Sequence, residues 1–358
     1  MEETMATSVK YDDWRDHLQQ HGYTIIKNAI SPEKAQYYQQ QQIEWLEKFT
    51  YGFKKDDSTT WTPEYLPAHA RGGMYFRYGV QHEAFMWEAR QEAGIIDAFA
   101  KLWGTDELLV SFDAMNITFP SSNTTNSQPW PHIDQSPQKK GLHCVQGFIN
   151  FTPNGPEDGG LMVLKGTHKL TEKFFETFPE QANRESWGPE DWFSFEASEI
   201  DWFRERGCEP KKVCADPGDL IMWDSRTIHY SVPPQSEQMR ALIYLCYTPA
   251  RFATPENLEK KAVLFKNKQG SVRDSITHST FHPQILTRDS TVETHPTEHK
   301  ESFFHKILDH HHDKHGNEGQ ATEGGLHSEL KKDQGDFKQY IKEDRQLEEE
   351  GQTYGGLM

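Results

Sequence analysis

The sequence predicts a mainly β protein, a sandwich or barrel of short strands with a helical region at its N-terminal side. Three observations predict this. Up to about residue 105 the apolar residues follow helical spacing. From Glu107 onward the pattern turns strand-like, in short runs rich in β-branched, aromatic and aliphatic residues. Turn sequences such as Pro153-Asn-Gly-Pro-Glu-Asp-Gly-Gly160 and Asp216-Pro-Gly-Asp219 separate several of those runs. Many short strands divided by turns belong to sandwiches and barrels.

The elements follow in order. Asp12 to Leu18 is a short amphipathic segment, and Tyr23-Thr-Ile-Ile-Lys27 reads as a strand. Ser31-Pro-Glu-Lys starts a helix, with Ser as N-cap and Pro in the first turn, that runs to about Phe49. Residues 51 to 79 are loop-rich, and His82 to Trp103 gives one or two helices ending at Gly104. Strands are expected over Leu108 to Thr118, Leu142 to Thr152, Gly160 to Leu164 and Lys212 to Cys214. Three more follow over Asp219 to Trp223, Ile228 to Val232 and Arg240 to Tyr247. Leu170 to Arg206, with Trp187, Trp192 and Trp202, interrupts the pattern and reads as an insertion.

These elements imply one domain over residues 10–290, with a β core at about 107–255 and the insertion at about 170–206. Residues 291–358 read as a polar, acidic, His-rich tail, partly helical. The stretch 278–327 holds ten of the 18 histidines. Its Glu, Asp, Gly and Lys neighbours offer no rigid frame for ligands, so a solvated tail is the expectation.

The chain has 358 residues, 35% hydrophobic and 26% charged, with 38 basic and 55 acidic side chains, a net charge of −17. Such a surface repels nucleic acid and anionic membranes, so neither is an expected partner. No run approaches membrane-spanning length. The N-terminal Met-Glu-Glu-Thr-Met-Ala lacks the basic and apolar parts of a signal peptide, and a cytoplasmic location is expected. Cys144, Cys208, Cys214 and Cys246 form no Cys-x-x-Cys pair and read as free thiols.

The segment Trp130-Pro-His-Ile-Asp-Gln-Ser carries the chemistry. Pro131 disfavours helix at Trp130, and on an extended backbone His132 and Asp134 share a face. Both can then reach one metal ion, with His229 as a third ligand from a neighbouring strand. Two histidines and one carboxylate leave positions open, as non-haem Fe(II) oxygenases require. The His-x-Asp spacing is common, and a strand-borne histidine and arginine downstream give it weight. Arg240 heads an apolar strand, a position that fits either a solvated sheet edge or a clamp for a dicarboxylate. In Val145-Gln-Gly-Phe-Ile-Asn150, the residues Gln146, Phe148 and Asn150 share a face. Gln146 and Asn150, with Asn116 on the preceding strand, would line a site or bond within the core.

Together, His132-Ile-Asp134, Gly159-Gly-Leu-Met-Val-Leu-Lys-Gly-Thr-His168-Lys, Pro217-Gly-Asp-Leu-Ile, His229-Tyr-Ser231 and Arg240 resemble the phytanoyl-CoA dioxygenase-like family of Fe(II)/2-oxoglutarate oxygenases, in the wording of its fungal branch. The resemblance spans roughly residues 12 to 255. It implies a double-stranded β-helix, a jelly-roll or cupin-like core, with N-terminal helices packed on it. It further implies that His132, Asp134 and His229 bind Fe(II), that Arg240 binds the far carboxylate of 2-oxoglutarate beside Ser231, and that O2 is consumed. His168 would be structural. Tyr230, where a small residue often follows the distal histidine, and Arg226, which would pair with Asp224, depart from the pattern.

The implied reaction is oxidation of an unactivated C–H bond by hydroxylation, desaturation or cyclisation, on an amino acid or a secondary-metabolite intermediate. An acyl-CoA hydroxylase is the alternative substrate reading, and a non-catalytic metal-binding jelly roll the alternative class. A CoA substrate wants basic residues at its phosphates, and only Lys139-Lys140 offers them. Asp134 argues against halogenation, which leaves the carboxylate position for chloride. A homodimer is compatible with this reading.

Overall fold

The computed structural model describes residues 9–70, 73–120, 129–184 and 191–271. The tail expected over 291–358, its histidine stretch, and Trp187 lie outside the described residues. Capping residues set the helices at the N-terminal side. Asp13 caps α1 (Trp14–His21) by accepting from the Arg15 amide, and Gly22 closes it at φ 83°. Ser31 caps α2 (Pro32–Glu47), with Pro32 in its first turn. The stretch read as one or two helices is two, α3 (Ala84–Arg90) and α4 (Ala93–Trp103), the second ended by Gly104.

Among the described residues twelve strands, all paired antiparallel, form two sheets. The larger holds β1 (Tyr23–Ile26), β10 (Leu220–Asp224), β6 (Val145–Asn150), β12 (Arg240–Pro249), β4 (Met115–Thr118) and β2 (Met74–Tyr75) in that order, with β3 (Leu108–Val110) also on β12. The smaller runs β8 (Phe193–Ser194), β5 (His132–Ile133), β11 (His229–Val232), β7 (Gly160–Leu164) and β9 (Pro210–Lys212). This is the jelly-roll core expected of the sequence.

Strand alternation sorts the apolar residues into three layers. Ile149, Leu220, Met222, Ala241, Ile243 and Leu245 face outward from the larger sheet and bury Tyr38, Trp45, Leu46, Phe85 and Phe99 of the helices. Between the sheets lie Phe148, Leu161, Val163, Ile221, Trp223, Leu242 and Tyr244. Beyond the smaller sheet, Ile133, Leu164 and Ile228 pack on Phe174 and Phe175 of α5 (Thr171–Thr177) and Phe203 of α6 (Ala197–Arg204). Each fully buried Leu, Ile or Phe contributes about 1.5–3 kcal/mol.

Two expectations need correction. The segment 170–206 is more than an insertion, because β8 inside it is a strand of the smaller sheet, paired with β5. Two residues are too few for strand periodicity to register. The strand read at Lys212 to Cys214 lies two residues earlier, at Pro210–Lys212. Past the core, α7 (Pro255–Lys266) starts at a Thr254–Asn257 capping box. No helix among the described residues is long and apolar enough to cross a membrane.

Arg90 joins helices to core. It is fully buried, and its guanidinium donates to the carbonyls of Gln81 (2.7 Å) and Asp113 (3.1 Å). Its own carbonyl accepts from the Tyr247 hydroxyl. Burial pulls the guanidinium down to about 10, so it stays charged at neutral pH. Replacing Arg90 by Met leaves two buried carbonyls unpaired. We expect a loss of about 3 kcal/mol and a thermal midpoint lower by roughly 5–10 °C, read by calorimetry.

Candidate active site

The smaller sheet's register builds the site. His229 of β11 pairs directly with His132 of β5 and, on its other side, with Val163 of β7. Both imidazoles thereby point between the sheets, with ring centroids 4.3 Å apart. Asp134, two residues past His132, is held by its amide, which donates to the Ser225 carbonyl at 2.9 Å. The loop after it is pinned by Gln135, whose side chain donates to the carbonyls of Lys139 and Gly141 and accepts from the Ser225 hydroxyl.

His132, Asp134 and His229 are all buried, and one ligand atom from each lies within 4.8 Å of the others. The Asp134 carboxylate sits 3.1 Å from His229 Nε2 and 3.7 Å from His132 Nε2. His132 Nδ1 lies 2.8 Å from the Trp130 carbonyl, and His229 Nδ1 lies 3.0 Å from the Thr227 carbonyl. A carbonyl can only accept, so each Nδ1 carries the proton and each Nε2 presents its lone pair. Burial first, and His229 second, push the His132 imidazole down to about 4, against the pull of Asp134, so it is neutral at pH 7. Neither Nε2 makes a hydrogen bond. Two lone pairs directed at a carboxylate repel it, and a cation among the three groups turns that repulsion into coordination. The donor set therefore fits a divalent metal of the N/O-ligated kind.

Arg240 opens β12 on the larger sheet and reaches the same interior. It is 7% exposed, its guanidinium carbon 5.5 Å above the Phe148 ring. Gly160 makes room for it: a Cβ there would fall 2.8 Å from Arg240 Nε. Tyr244 lies beside it, its hydroxyl pushed up by burial against the pull of the arginine. Among the described residues no carboxylate pairs with Arg240. A buried guanidinium without an acidic partner fits an anionic ligand.

The other expected residues fall as follows. Ser231 pairs with Leu161 on the face that carries His229, next to the Val232–Gly160 pair on which Arg240 rests. Gln146 is half-buried on the inner face of β6, between Trp223 and Cys246. Asn116 is buried opposite Leu242, accepts from Thr118, and shares the inner face with Arg240. Of the two alternatives for Asn150, the structure shows hydrogen bonding within the core. Its amide donates to the carbonyls of Thr152, Ala215 and Asp216, because the turn before β10 needs those groups satisfied. His168 sits near the Gln19 carbonyl, away from the metal ligands. Arg226 and Asp224 form a two-pronged ion pair at 2.9 and 2.7 Å.

Two residues at the site escaped the sequence reading. The Trp130 ring stacks on His132 at 4.0 Å, and Trp192 meets Trp130 edge-on at 5.5 Å. Alternation with His132 was a signal for Trp130; Trp192 arrives only through the β8–β5 pairing. Trp223 also lies inside, its ring 5.4 Å from that of His229.

A family model described as phytanoyl-CoA dioxygenase (PhyH) matches residues 18–242. The chain is 48% identical over 259 residues to the Ava biosynthesis cluster protein O of Aspergillus versicolor, covering 72% of this chain and 84% of that protein. Among solved structures, it is similar to the epimerase SnoN in complex with Fe3+, alpha ketoglutarate and nogalamycin RO. There the TM-score is 0.47 at 15% identity, over 66% of this chain and 82% of that one. It is also similar to EctD of S. alaskensis with 2-oxoglutarate and 5-hydroxyectoine, at TM-score 0.46 and 13% identity, over 70% and 79% of the two chains.

A ligand that binds only the folded chain stabilises it. Stripped of metal by a chelator and then given one equivalent of iron(II) or cobalt(II) without oxygen, the protein should gain several degrees in thermal midpoint. An unchanged midpoint would count against the trio as a cation site.

Proposed function

Because the chain belongs to the phytanoyl-CoA dioxygenase family and is a non-haem iron(II)- and 2-oxoglutarate-dependent dioxygenase, we propose that it oxidises an unactivated C–H bond of a free small metabolite. In this reading His132, Asp134 and His229 hold the iron. Arg240 and Ser231 hold the far carboxylate of 2-oxoglutarate. Gln146 and Asn116 line the chamber between the sheets. The observation that carries it is the convergence of three buried ligand atoms within 4.8 Å with a buried arginine that has no acidic partner among the described residues.

When bound, iron(II) with 2-oxoglutarate and O2 supplies the oxidising chemistry, releasing succinate and carbon dioxide and removing hydrogen from the substrate carbon. The chain's own residues place and shield the reactants. The carbonyls of Trp130 and Thr227 hold both imidazoles in the ligand tautomer. Arg240 fixes one end of the cosubstrate through its planar fork, so the other end meets the ligand cluster in a defined pose. Phe148, Trp223, Leu242 and Tyr244 keep the space between the sheets apolar and strengthen the electrostatics there.

Two observations support a free metabolite over an acyl-CoA. The basic pair near the site is already engaged: Lys139 binds Asp191, and Lys140 lies 3.4 Å from Glu176. The tighter of the two pairs holds Lys139 away from CoA phosphates. The 48% identical relative belongs to a biosynthesis cluster, which fits a secondary-metabolite intermediate. With Asp134 in the third ligand position, the outcome is oxygenation, desaturation or ring closure.

Replacing His132, Asp134 or His229 by Ala should abolish succinate release from 2-oxoglutarate, and succinate release that persists would overturn the reading. Gly160→Ala should displace Arg240 and raise the KM for 2-oxoglutarate tenfold or more, measured by succinate release against cosubstrate concentration. Arg240→Gln should act in the same direction.

A further inference from the structure

We propose that Cys144 and Cys246 are an oxidative modification site in the wall of the chamber. Peroxide closes the two thiols to a disulfide, thiol reductants reopen it, and closure weakens metal binding. The coupling to metal rests on the reading of His132, Asp134 and His229 as a cation site, whereas the pairing of the thiols stands without it.

Strand register brings the two sulfurs together. Cys246 pairs with Gln146 across β12 and β6. Cys144 precedes Gln146 by two residues, so alternation puts Cys144, Gln146 and Cys246 on the inner face of the larger sheet. The sulfurs lie 3.4 Å apart. The Cys246 thiol donates to the Val145 carbonyl at 3.3 Å, so the hydrogen between the two sulfurs is that of Cys144. Cys246 is buried and Cys144 partly exposed, which gives an oxidant one sulfur to reach and a second sulfur to resolve it. The Cys246 thiol first, and burial second, hold the Cys144 thiol above its usual range, so the pair resists weak oxidants. Among the described residues no other two thiols touch. Cys208 lies in the apolar layer with Phe203 of α6, and Cys214 is nearest the Lys212 carbonyl at 4.0 Å.

In the closing reaction the Cys144 sulfur attacks one oxygen of hydrogen peroxide. The S–O bond forms as the O–O bond breaks, and the first water leaves with the thiol proton. The Cys246 sulfur then displaces the hydroxyl, which leaves as the second water with the Cys246 proton. The two thiols together lose two electrons, and the peroxide is reduced to water. Bonding draws the sulfurs from 3.4 Å to about 2.05 Å. Cys246 sits within β12, where its amide donates to the Ser111 hydroxyl and its carbonyl accepts from the Ser111 amide, both at 2.9 Å. Cys144 lies just outside β6, so the movement falls on it. Its carbonyl accepts from the Ser225 amide at 3.1 Å, and the Ser225 carbonyl accepts from the Asp134 amide at 2.9 Å. Closure therefore pulls on the backbone bond that places the Asp134 carboxylate beside the two imidazoles.

The test uses the full chain, stripped of metal by a chelator, treated with excess hydrogen peroxide and then cleared of it. Peptide mapping should show the Cys144 and Cys246 peptides joined, and the Cys208 and Cys214 peptides free. Cobalt(II) is then titrated by calorimetry without oxygen. The oxidised protein should bind it roughly 10- to 100-fold more weakly, the range that disturbing the groups behind metal ligands costs. Dithiothreitol should restore the affinity. Cys144→Ser should bind cobalt(II) as the reduced protein does and keep that affinity after peroxide. Absence of the joined peptide would overturn the thiol pair. An affinity unchanged by joining, or one that falls equally in Cys144→Ser, would overturn its hold on the metal. Failure of the reduced, unmodified protein to bind cobalt(II) would instead overturn the cation-site reading, and it is read before any peroxide is added.

Discussion

The pairing of His229 with His132 across β11 and β5 is the constraint on which the site depends. The side-chain period of a strand is two, so a slip of one residue would turn one imidazole out of the sandwich. The β5 strand is only two residues long and cannot hold this register alone. The register is secured from both sides, by β8 against β5 and by β7 against β11. Backbone bonds from the Asp134 amide to Ser225 and from the Phe195 amide to Pro131 lock the flanks. The apolar faces of Ile133, Ile228 and Leu164, buried on the other side under α5 and α6, make any slip costly.

The interior this register creates is at odds with ordinary protein cores. It collects two imidazoles, a carboxylate and a guanidinium, all buried, in a layer otherwise made of Phe148, Leu161, Val163, Trp223 and Leu242. Each of these groups loses solvation on folding, and the two Nε2 atoms recover none of it through hydrogen bonds among the described residues. In the proposed reading a divalent cation at the trio and a dicarboxylate at Arg240 would compensate both ends, and Gly160 keeps the space that the arginine occupies.

Much of this was legible in the sequence. His132 and Asp134 could be read as candidates from alternation, His229 from its place in the strand-like run Ile228 to Val232, and Arg240 from the head of an apolar strand. The caps at Ser31 and Gly104 located helix boundaries within a residue or two, because capping chemistry is local. What could not be read were features made by contacts distant in sequence. Asn150 seemed free to line the site until the turn around Ala215 claimed its amide. Lys139 seemed a candidate phosphate ligand until Asp191, over fifty residues away, neutralised it. The β8 strand, two residues in an aromatic stretch, had too little length to show a period.

The sequence by itself determined a sandwich or barrel of short strands, the helical boundaries and a candidate set of metal-type ligands, because these follow from periodicity, capping and side-chain chemistry within short windows; the jelly-roll class came from the family resemblance. Only the tertiary structure decided which groups share the chamber and which are spent elsewhere. It stacked Trp130 on His132, left Arg240 without an acidic partner among the described residues, paired Lys139 with Asp191 and bound the Asn150 amide to nearby carbonyls. The physical reason is that hydrogen bonds, ion pairs and ring contacts compete for the same groups. The winner is set by how strands far apart in the chain come into register.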